Sequence, residues 1–538
     1  MCEMNPTLRR AVFPVNALPS CQLVPEGIDG VLRSADVKFE ALRRYYTQVP
    51  ADVLFYFSDI VIQAEAMGAP VACLDGAMPR VAGPAPVISL PNPARVPRMV
   101  ANAQVVRRAS REFPDRRRVA LVYGPFTVAG QVAGEENVLK AILQAPGEVL
   151  GLLEHCLECA LRYGELLVEA GADLLWVSDP FAALVSPRQF FEFAGSFLRR
   201  LFERFAPLPT ALHICGDTTH LVEAMVETGV GAISFDNCMD LLAVEDRLPE
   251  EVCIVGNLDP VEIAEMASPE QVADRTADLA TLMACRKSFS LSTGCALPPA
   301  TPVENVRAFV EAGRRTLAEL EPHRPALVPI RAAVARGDRG AASEAVLSAL
   351  GEGVPPLRVV TAGLMGSIRK ASALYEAKRC HLPALLLMVE AFYQGFSHVE
   401  GKLTAPARAA APVLLGTVQG DVHEIGKNLV RAFLETHGFR VVDLGASVSP
   451  ERFLEAYRKH RPFVVGLSAF TTSARKQVAA TIQAFCSRGT GEVALVVGGG
   501  AMTAEIARSL GAQGYARDAV QAVRWVEGLI RRPTRQVR

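Results

Sequence analysis

A chain of 538 residues is too long for one ordinary hydrophobic core and predicts about three domains. Half of the residues are hydrophobic and the formal net charge is −1, which excludes the strongly basic surface of a nucleic-acid or anionic-membrane binder. The twelve cysteines are scattered and read as reduced thiols, since a chain of this size needs no disulfide to fold. No apolar run is long enough to span a bilayer; the best candidate, Leu382 to Phe396, is short and carries Glu390. Met1 to Pro6 lacks a basic region followed by an apolar one, so the expectation is a cytoplasmic enzyme.

From about residue 50 to 310, strand-like apolar runs recur, each followed by a helical pattern. The clearest are Arg118 to Tyr123, Asp173 to Val177, Thr210 to Ile214, Ala232 to Phe235, Val252 to Val255 and Ser288 to Leu291. Repeated strand-then-helix units without hairpins predict an α/β fold, a (β/α)8 barrel, whose chemistry sits where the strands end. After these runs come Gly124-Pro125, Ser178-Asp179-Pro180-Phe181, Cys215-Gly216-Asp217, Asp236-Asn237, Gly256-Asn257-Leu258-Asp259-Pro260 and Gly294-Cys295. Polar residues, Gly and Cys cluster at one rim, which places an active site there.

His213-Ile214-Cys215 at one strand end and Cys295 at a later one make a soft three-ligand set. One imidazole and two thiolates suit zinc and leave a fourth position open for substrate. A His-x-Cys pair also arises by chance in a chain with twelve cysteines. Asp179 is either a fourth ligand or hydrogen-bond partner at this site, or a residue that shapes the turn before Pro180. Cys156 and Cys159 form a Cys-x-x-Cys string on a helical pattern, with no strand before it, and read as small buried residues. His155, His220, His437 and His460 sit in charged helical surroundings and read as surface residues.

The words Leu212-His213-Ile214-Cys215-Gly216, Asp179-Pro180-Phe181, Gly256-Asn257-Leu258-Asp259-Pro260 and Gly294-Cys295, followed by Thr301-Pro302-Val303-Glu304-Asn305, resemble the uroporphyrinogen decarboxylase-like superfamily over residues 30–320. More narrowly they resemble its zinc-containing branch, the methylcobamide:coenzyme M methyltransferases. That resemblance implies His213, Cys215 and Cys295 as the zinc ligands. The arginine-rich segment with which true decarboxylases bind porphyrinogen carboxylates is missing.

Residues 320–335, with Pro322, Pro325 and Pro329, read as a linker into a helical unit over about 328–400. A second stretch of small residues, Ala405 to Pro412, leads to the strand-like Val413 to Val418. Then comes Gly420-Asp421-Val422-His423-Glu424-Ile425-Gly426-Lys427 and an apolar-periodic helix. An Asp two residues before a His at a strand-to-helix turn can accept a hydrogen bond from one ring nitrogen and present the other to a metal. Val464 to Thr472, Leu495 to Gly500 and Gly511 to Ala516 follow in order.

This order resembles the cobalamin-binding domain of methionine synthase and the corrinoid proteins, a Rossmann-like doubly wound domain preceded by a small helical cap over the corrin. The resemblance implies His423 as the lower cobalt ligand, Asp421 as its partner and Gly426 as a close approach for the cofactor tail. It also implies that Ser468, Thr472 and the Gly498-Gly499-Gly500 turn line the tail tunnel, with Tyr515 and Asp518 near the tail. His381 could face the upper corrin side or open its helix in solvent.

The expected domains are therefore a barrel over 1–320, a helical cap over 328–404 and a cobalamin-binding domain over 405–538. The fused order resembles the chloromethane:corrinoid methyltransferases of methylotrophic bacteria. It implies transfer of a methyl group from a small donor, a halomethane above all, to the chain's own corrinoid, for onward transfer to tetrahydrofolate or a thiol. A methylcobamide:thiol (coenzyme M-like) or a methylthiol or methoxy-compound methyltransferase is the alternative, and a corrinoid carrier or sensor with an inactive barrel the non-enzymatic one. Implied partners are a methyl-accepting protein or thiol and a reductive activator of the corrinoid. The stretches 320–335 and 405–412 are the expected hinges.

Overall fold

A computed structural model describes residues 8–73, 76–266, 268–402, 412–436, 439–488 and 493–531. His437 and most of the stretch 405–412 lie outside them. Two compact units emerge, Met1–Phe396 and Ser397–Arg538.

The first unit is built on eight parallel strands: β1 (Val12–Phe13), β2 (Val53–Leu54), β3 (Arg117–Tyr123), β4 (Leu174–Ser178), β5 (Thr210–Ile214), β6 (Ala232–Phe235), β7 (Cys253–Leu258) and β8 (Phe289–Thr293). Their order is β1-β8-β7-β6-β5-β4-β3-β2. The seam between β1 and β2 is drawn together by Asp52, whose N–H donates to the Val12 carbonyl at 3.1 Å and whose carboxylate accepts the Val12 N–H at 2.7 Å. The strands read as unbroken apolar runs because both faces are covered: the last five residues of β3 and all five of β5 are buried. Trp176 of β4 fills the interior, edge-on to Phe55 at 4.9 Å. The helix Pro146–Glu169 packs outside, with Cys156 and Cys159 on its buried face.

The stretch expected as a linker over 320–335 is helix. Val303–Leu320 passes through one short turn, Glu321–His323, into Arg324–Ala335, which buries Leu327, Ile330, Arg331, Ala333 and Val334. Pro322 and Pro325 fall at element starts, where a missing N–H costs nothing; read in sequence, they had suggested a break. Further helices cover Arg339–Gly351, residues 356–376 and Leu382–Phe396. This helical segment belongs to the same compact unit as the barrel. The Arg331 guanidinium reaches the Ala362 carbonyl at 2.9 Å within the segment and the Thr281 and Leu282 carbonyls of the barrel at 3.3 and 2.5 Å. Lys370 pairs with Glu245 at 2.7 Å and Asp246 at 2.5 Å.

The second unit holds a parallel sheet of β9 (Val413–Thr417), β10 (Val441–Asp443), β11 (Val464–Ser468), β12 (Ala494–Gly498) and β13 (Gly514–Ala516), in the order β10-β9-β11-β12-β13. The order reverses at β9, so the crevice at the carboxyl ends of β9 and β11 is the expected ligand position of such a sheet.

Candidate functional site

Two separate sites follow from the fold. In the barrel, β5 turns the His213 ring inward, and the chain leaves the strand through Cys215. Cys295 lies two residues beyond β8. Gly294 makes its approach possible, since a Cβ there would stand 2.3 Å from the Asn237 nitrogen. His213 Nε2 lies 3.2 Å from Cys215 Sγ, and Cys215 Sγ lies 3.9 Å from Cys295 Sγ. All three ligand atoms fall within 4.8 Å of one another, and no other group of three does so among the described residues. Tetrahedral zinc with Zn–S bonds of about 2.3 Å sets its sulfurs roughly 3.8 Å apart, so the donor set fits that ion in both softness and spacing.

Each candidate ligand is braced by a hydrogen-bonding neighbour. Ser234, the register partner of His213 on β6, puts its Oγ 3.1 Å and its carbonyl 3.3 Å from His213 Nδ1, so Nδ1–H donates and Nε2 keeps its lone pair for a metal. Asp236 accepts the Gly216 N–H at 2.9 Å and the Cys238 N–H at 3.2 Å, fixing the turn that carries Cys215. Thr293 donates to the Cys295 carbonyl at 2.7 Å and accepts the Val15 N–H at 2.9 Å. Hydrogen bonding from Cys215, helped by His213, holds the Cys295 thiol well below its ordinary range; the same bond and burial push Cys215 up.

Asp179 stands beside this cluster, not in it. Its N–H donates to the His213 carbonyl at 2.9 Å. Its carboxylate is fully buried and accepts the Thr127 N–H at 2.7 Å and hydroxyl at 2.6 Å through Oδ1, while Oδ2 has no hydrogen-bond partner. Burial raises its pKa to about 6 against the opposing hydrogen bonds from Thr127. Asp259 caps the helix Pro260–Glu265 through the Val261 N–H at 2.8 Å, a structural role for one of the polar rim residues.

In the second unit, the loop after β9 carries Asp421 and His423. Asp421 Oδ1 accepts the His423 N–H at 3.0 Å and lies 2.7 Å from His423 Nδ1. Oδ2 accepts the Phe470 N–H at 2.7 Å and the Thr471 N–H at 3.2 Å. Burial opposes ionisation of this carboxyl, but the donors from His423, Phe470 and Thr471 outweigh it and hold its pKa below the ordinary range. The His423 side chain is 48% exposed, in the tautomer that leaves Nε2 free to bind a metal.

The residues expected to line a tail tunnel fall around the same carboxyl edge of the sheet. Ser468 ends β11 and Gly498 ends β12; Thr472 is exposed. A Cβ at Gly498 would meet the Ala516 carbonyl at 2.8 Å and one at Gly499 the Ala469 carbonyl at 2.4 Å, so this turn lies flat on neighbouring backbone. Added Cβ atoms at Gly420 and Gly426 meet nothing within 4 Å, leaving open space on both sides of His423 in the loop. Tyr515 is half-buried on β13, and Asp518 accepts the Gln521 N–H at 2.9 Å. His381 is exposed, just before the helix Leu382–Phe396.

Residues 30–316 match the family described as Uroporphyrinogen decarboxylase (URO-D). The chain belongs to that family. Residues 329–400 and 411–524 each match the description B12 binding domain, so this URO-D barrel is joined to a cobalamin-binding module. The chain is 30% identical to the Methylated-thiol--coenzyme M methyltransferase of Methanosarcina mazei over 37% of its own length and 53% of that protein. It is 33% identical to Dimethylamine corrinoid protein 3 of Methanosarcina acetivorans over 34% of its own length and 85% of that protein. The chain thus spans about half the length of the first relative and most of the second. A solved methyltransferase from Methanosarcina mazei shares the fold, with TM-score 0.52 and 20% identity over 59% of this chain and 95% of that one.

Sequence reading missed Ser234, which sits one strand away from His213 and shares no local pattern with it, and assigned no role to Asp236 or to Thr293, which lies two residues before Cys295. It also gave no role to Lys427. That side chain is buried and its Nζ lies 2.6 Å from both Asp443 oxygens and 3.2 Å from Glu424, tying β10 to the His423 loop.

Proposed function

We propose that the chain is a zinc- and corrinoid-dependent methyltransferase that moves a methyl group from a small donor, a halomethane such as chloromethane, to its own bound corrinoid for onward transfer to tetrahydrofolate or a thiol. In this reading His213, Cys215 and Cys295 hold zinc and His423 is the cobalt ligand. The observation that carries it is the pairing, on one polypeptide, of a soft three-ligand set in a URO-D barrel with the Asp421–His423 pair of a B12 binding domain.

Bound cobalamin supplies a cobalt centre that takes up and gives up methyl groups, and zinc supplies a Lewis acid. The chain's own residues do the rest. Two thiolates and one neutral imidazole would cancel the charge of a divalent ion, so the loaded site would carry no net charge. Ser234 keeps the His213 lone pair on Nε2, and Asp236 and Thr293 hold the two thiols at bonding separation. Asp179 acts through the turn after β4, anchoring Thr127 and the His213 backbone from outside the three-ligand set. Asp421, held ionised by four contacts, orients His423. Ser468, Thr472, Gly498, Gly499 and Tyr515 receive the cofactor tail. Residues 1–320, 328–404 and 405–538 act as barrel, helical segment and carrier. Carrying both sites on one chain raises their effective concentration for each other.

The second reading, a methylcobamide:thiol methyltransferase, is favoured by the names of the coenzyme M relatives and by the ligand set, which suits activation of a thiol at the open zinc position. Both readings need a reductive activator and a methyl-accepting or methyl-donating partner. Reduced, cobalamin-loaded protein challenged anaerobically with chloromethane, a methyl thioether and a methoxy-arene tests them: methylation of the bound cobalamin by chloromethane supports the first. Failure with every donor, together with demethylation of pre-methylated cobalamin by a thiol, supports the second. Absence of zinc and of either reaction identifies a carrier.

A further inference from the structure

Among the described residues of the second unit, the large hydrophobic side chains left exposed are two, Val422 at 72% and Phe470 at 55%. Both flank His423. Val422 precedes it in the loop, and the Phe470 ring lies 4.6 Å from the imidazole, tilted by 32°. Every other large apolar side chain that can be described in this unit is at least partly withdrawn from water, so this pairing needs a cause.

Phe470 is also held in place. Its N–H donates to Asp421 Oδ2, the carboxylate that orients His423 through its other oxygen. An added Cβ at Gly500 would stand 3.1 and 3.2 Å from two carbons of the phenyl ring, tighter than most real contacts. The ring therefore lies against both the imidazole and the Gly500 backbone, exposed but not free. Third in the Gly498-Gly499-Gly500 run, Gly500 makes room for this ring, whereas Gly498 and Gly499 make room for backbone.

We propose that Phe470 and Val422 form an apolar seat for the lower face of the corrin ring around His423, with the Phe470 ring also fixing the plane of the imidazole. This rests on the reading of His423 as cobalt ligand. The corrin is the occupant because the patch is centred on the nitrogen that is left for a metal, and because a macrocycle held by one axial bond must cover whatever surrounds that bond. The apolar surroundings are then desolvated only when the cofactor is seated, which adds affinity without adding a polar group that could compete for cobalt.

The test uses the full chain. Phe470→Ala, Val422→Ser, Gly500→Ala and, as reference, His423→Ala are titrated with cobalamin, and the cobalt(II) form is read by electron paramagnetic resonance for splitting from a nitrogen ligand. Loss of half a phenyl ring's burial predicts cobalamin binding roughly tenfold weaker in Phe470→Ala. Phe470→Leu should recover affinity but keep a broadened nitrogen splitting, because it restores apolar area without a ring to stack. Gly500→Ala should shift the splitting with a smaller loss of affinity. Wild-type affinity and splitting in Phe470→Ala and Val422→Ser, with His423→Ala altered, would overturn the seat alone. Unchanged behaviour in His423→Ala would overturn the cobalt assignment beneath it. Weakened association with a protein partner at unchanged cobalamin affinity would assign the patch to a protein surface and overturn the proposal.

Discussion

Nδ1 of His213 lies 3.1 Å from Oγ of Ser234, its register partner on the neighbouring strand. The relationship ties the tautomer of a candidate soft metal ligand to the pairing of β5 with β6, so the sheet itself sets which nitrogen faces the cysteines. Removing the hydroxyl in Ser234→Ala should weaken zinc binding by about tenfold, the low end for a partner of a ligating histidine, because the Ser234 carbonyl at 3.3 Å remains as acceptor. Competition against a chromogenic chelator measures this. Ser234→Thr should retain wild-type affinity, and equal affinity in the alanine variant would remove Ser234 from the site.

Cys295→Ser should leave the protein folded yet lower its zinc content well below that of wild type, since a hydroxyl is a poor soft donor. Elemental analysis after dialysis decides the matter. Full zinc occupancy in this variant would contradict the three-ligand set.

Asp179 gives a prediction with a definite sign. Its pKa is raised from 3.8 to about 6 in the folded state, so the native state favours the protonated form. Stability linked to this group is fully present below pH 3.8 and is lost as pH rises through about 6. Asp179→Asn keeps an acceptor for Thr127 and removes the buried charge. It should therefore unfold later than wild type at pH 8, by about 3 kcal/mol at most, and match it near pH 4. A variant less stable than wild type at pH 8 would show that the charge itself is needed.

Arg331 joins the helical segment to the barrel by donating to carbonyls on both. Gly366 is what lets it lie there, because an added Cβ would stand 2.3 Å from its Nη2. Gly366→Ala should displace the guanidinium and expose the segment after residue 323 to limited proteolysis, while the barrel fragment resists. Unchanged digestion would mean that the contact at Arg331 is not what anchors the segment.

Much of the fold and of the second site is legible in the sequence. Long buried strands such as Val119 to Tyr123 announce themselves as apolar runs, and the Asp421–His423 spacing carries its own chemistry. The two-residue strands Val12–Phe13 and Val53–Leu54 show no periodicity and were legible only as parts of a closed sheet. Pro322 and Pro325 suggest a break because their positions at element starts cannot be seen in a string of letters, and Pro329 is tolerated inside the helix Arg324–Ala335. Ser234 and Asp236 become partners of the candidate ligands His213 and Cys215 only through strand register, whereas Thr293 lies two residues from Cys295 but shows its role only once the strand end is folded. Phe470 reads as one more apolar residue after a buried strand until its exposure beside His423 is seen.

The central claim is that the barrel's cysteine–histidine set delivers a methyl group to the cobalamin held by His423 on the same chain. Single-turnover spectroscopy under anaerobic conditions tests it most directly, comparing wild type with Cys295→Ser, both loaded with reduced cobalamin and mixed with the donor that wild type accepts. The account predicts methylation of bound cobalamin in wild type and its loss in Cys295→Ser, with cobalamin affinity unchanged. Methylation by Cys295→Ser at the wild-type rate would contradict it.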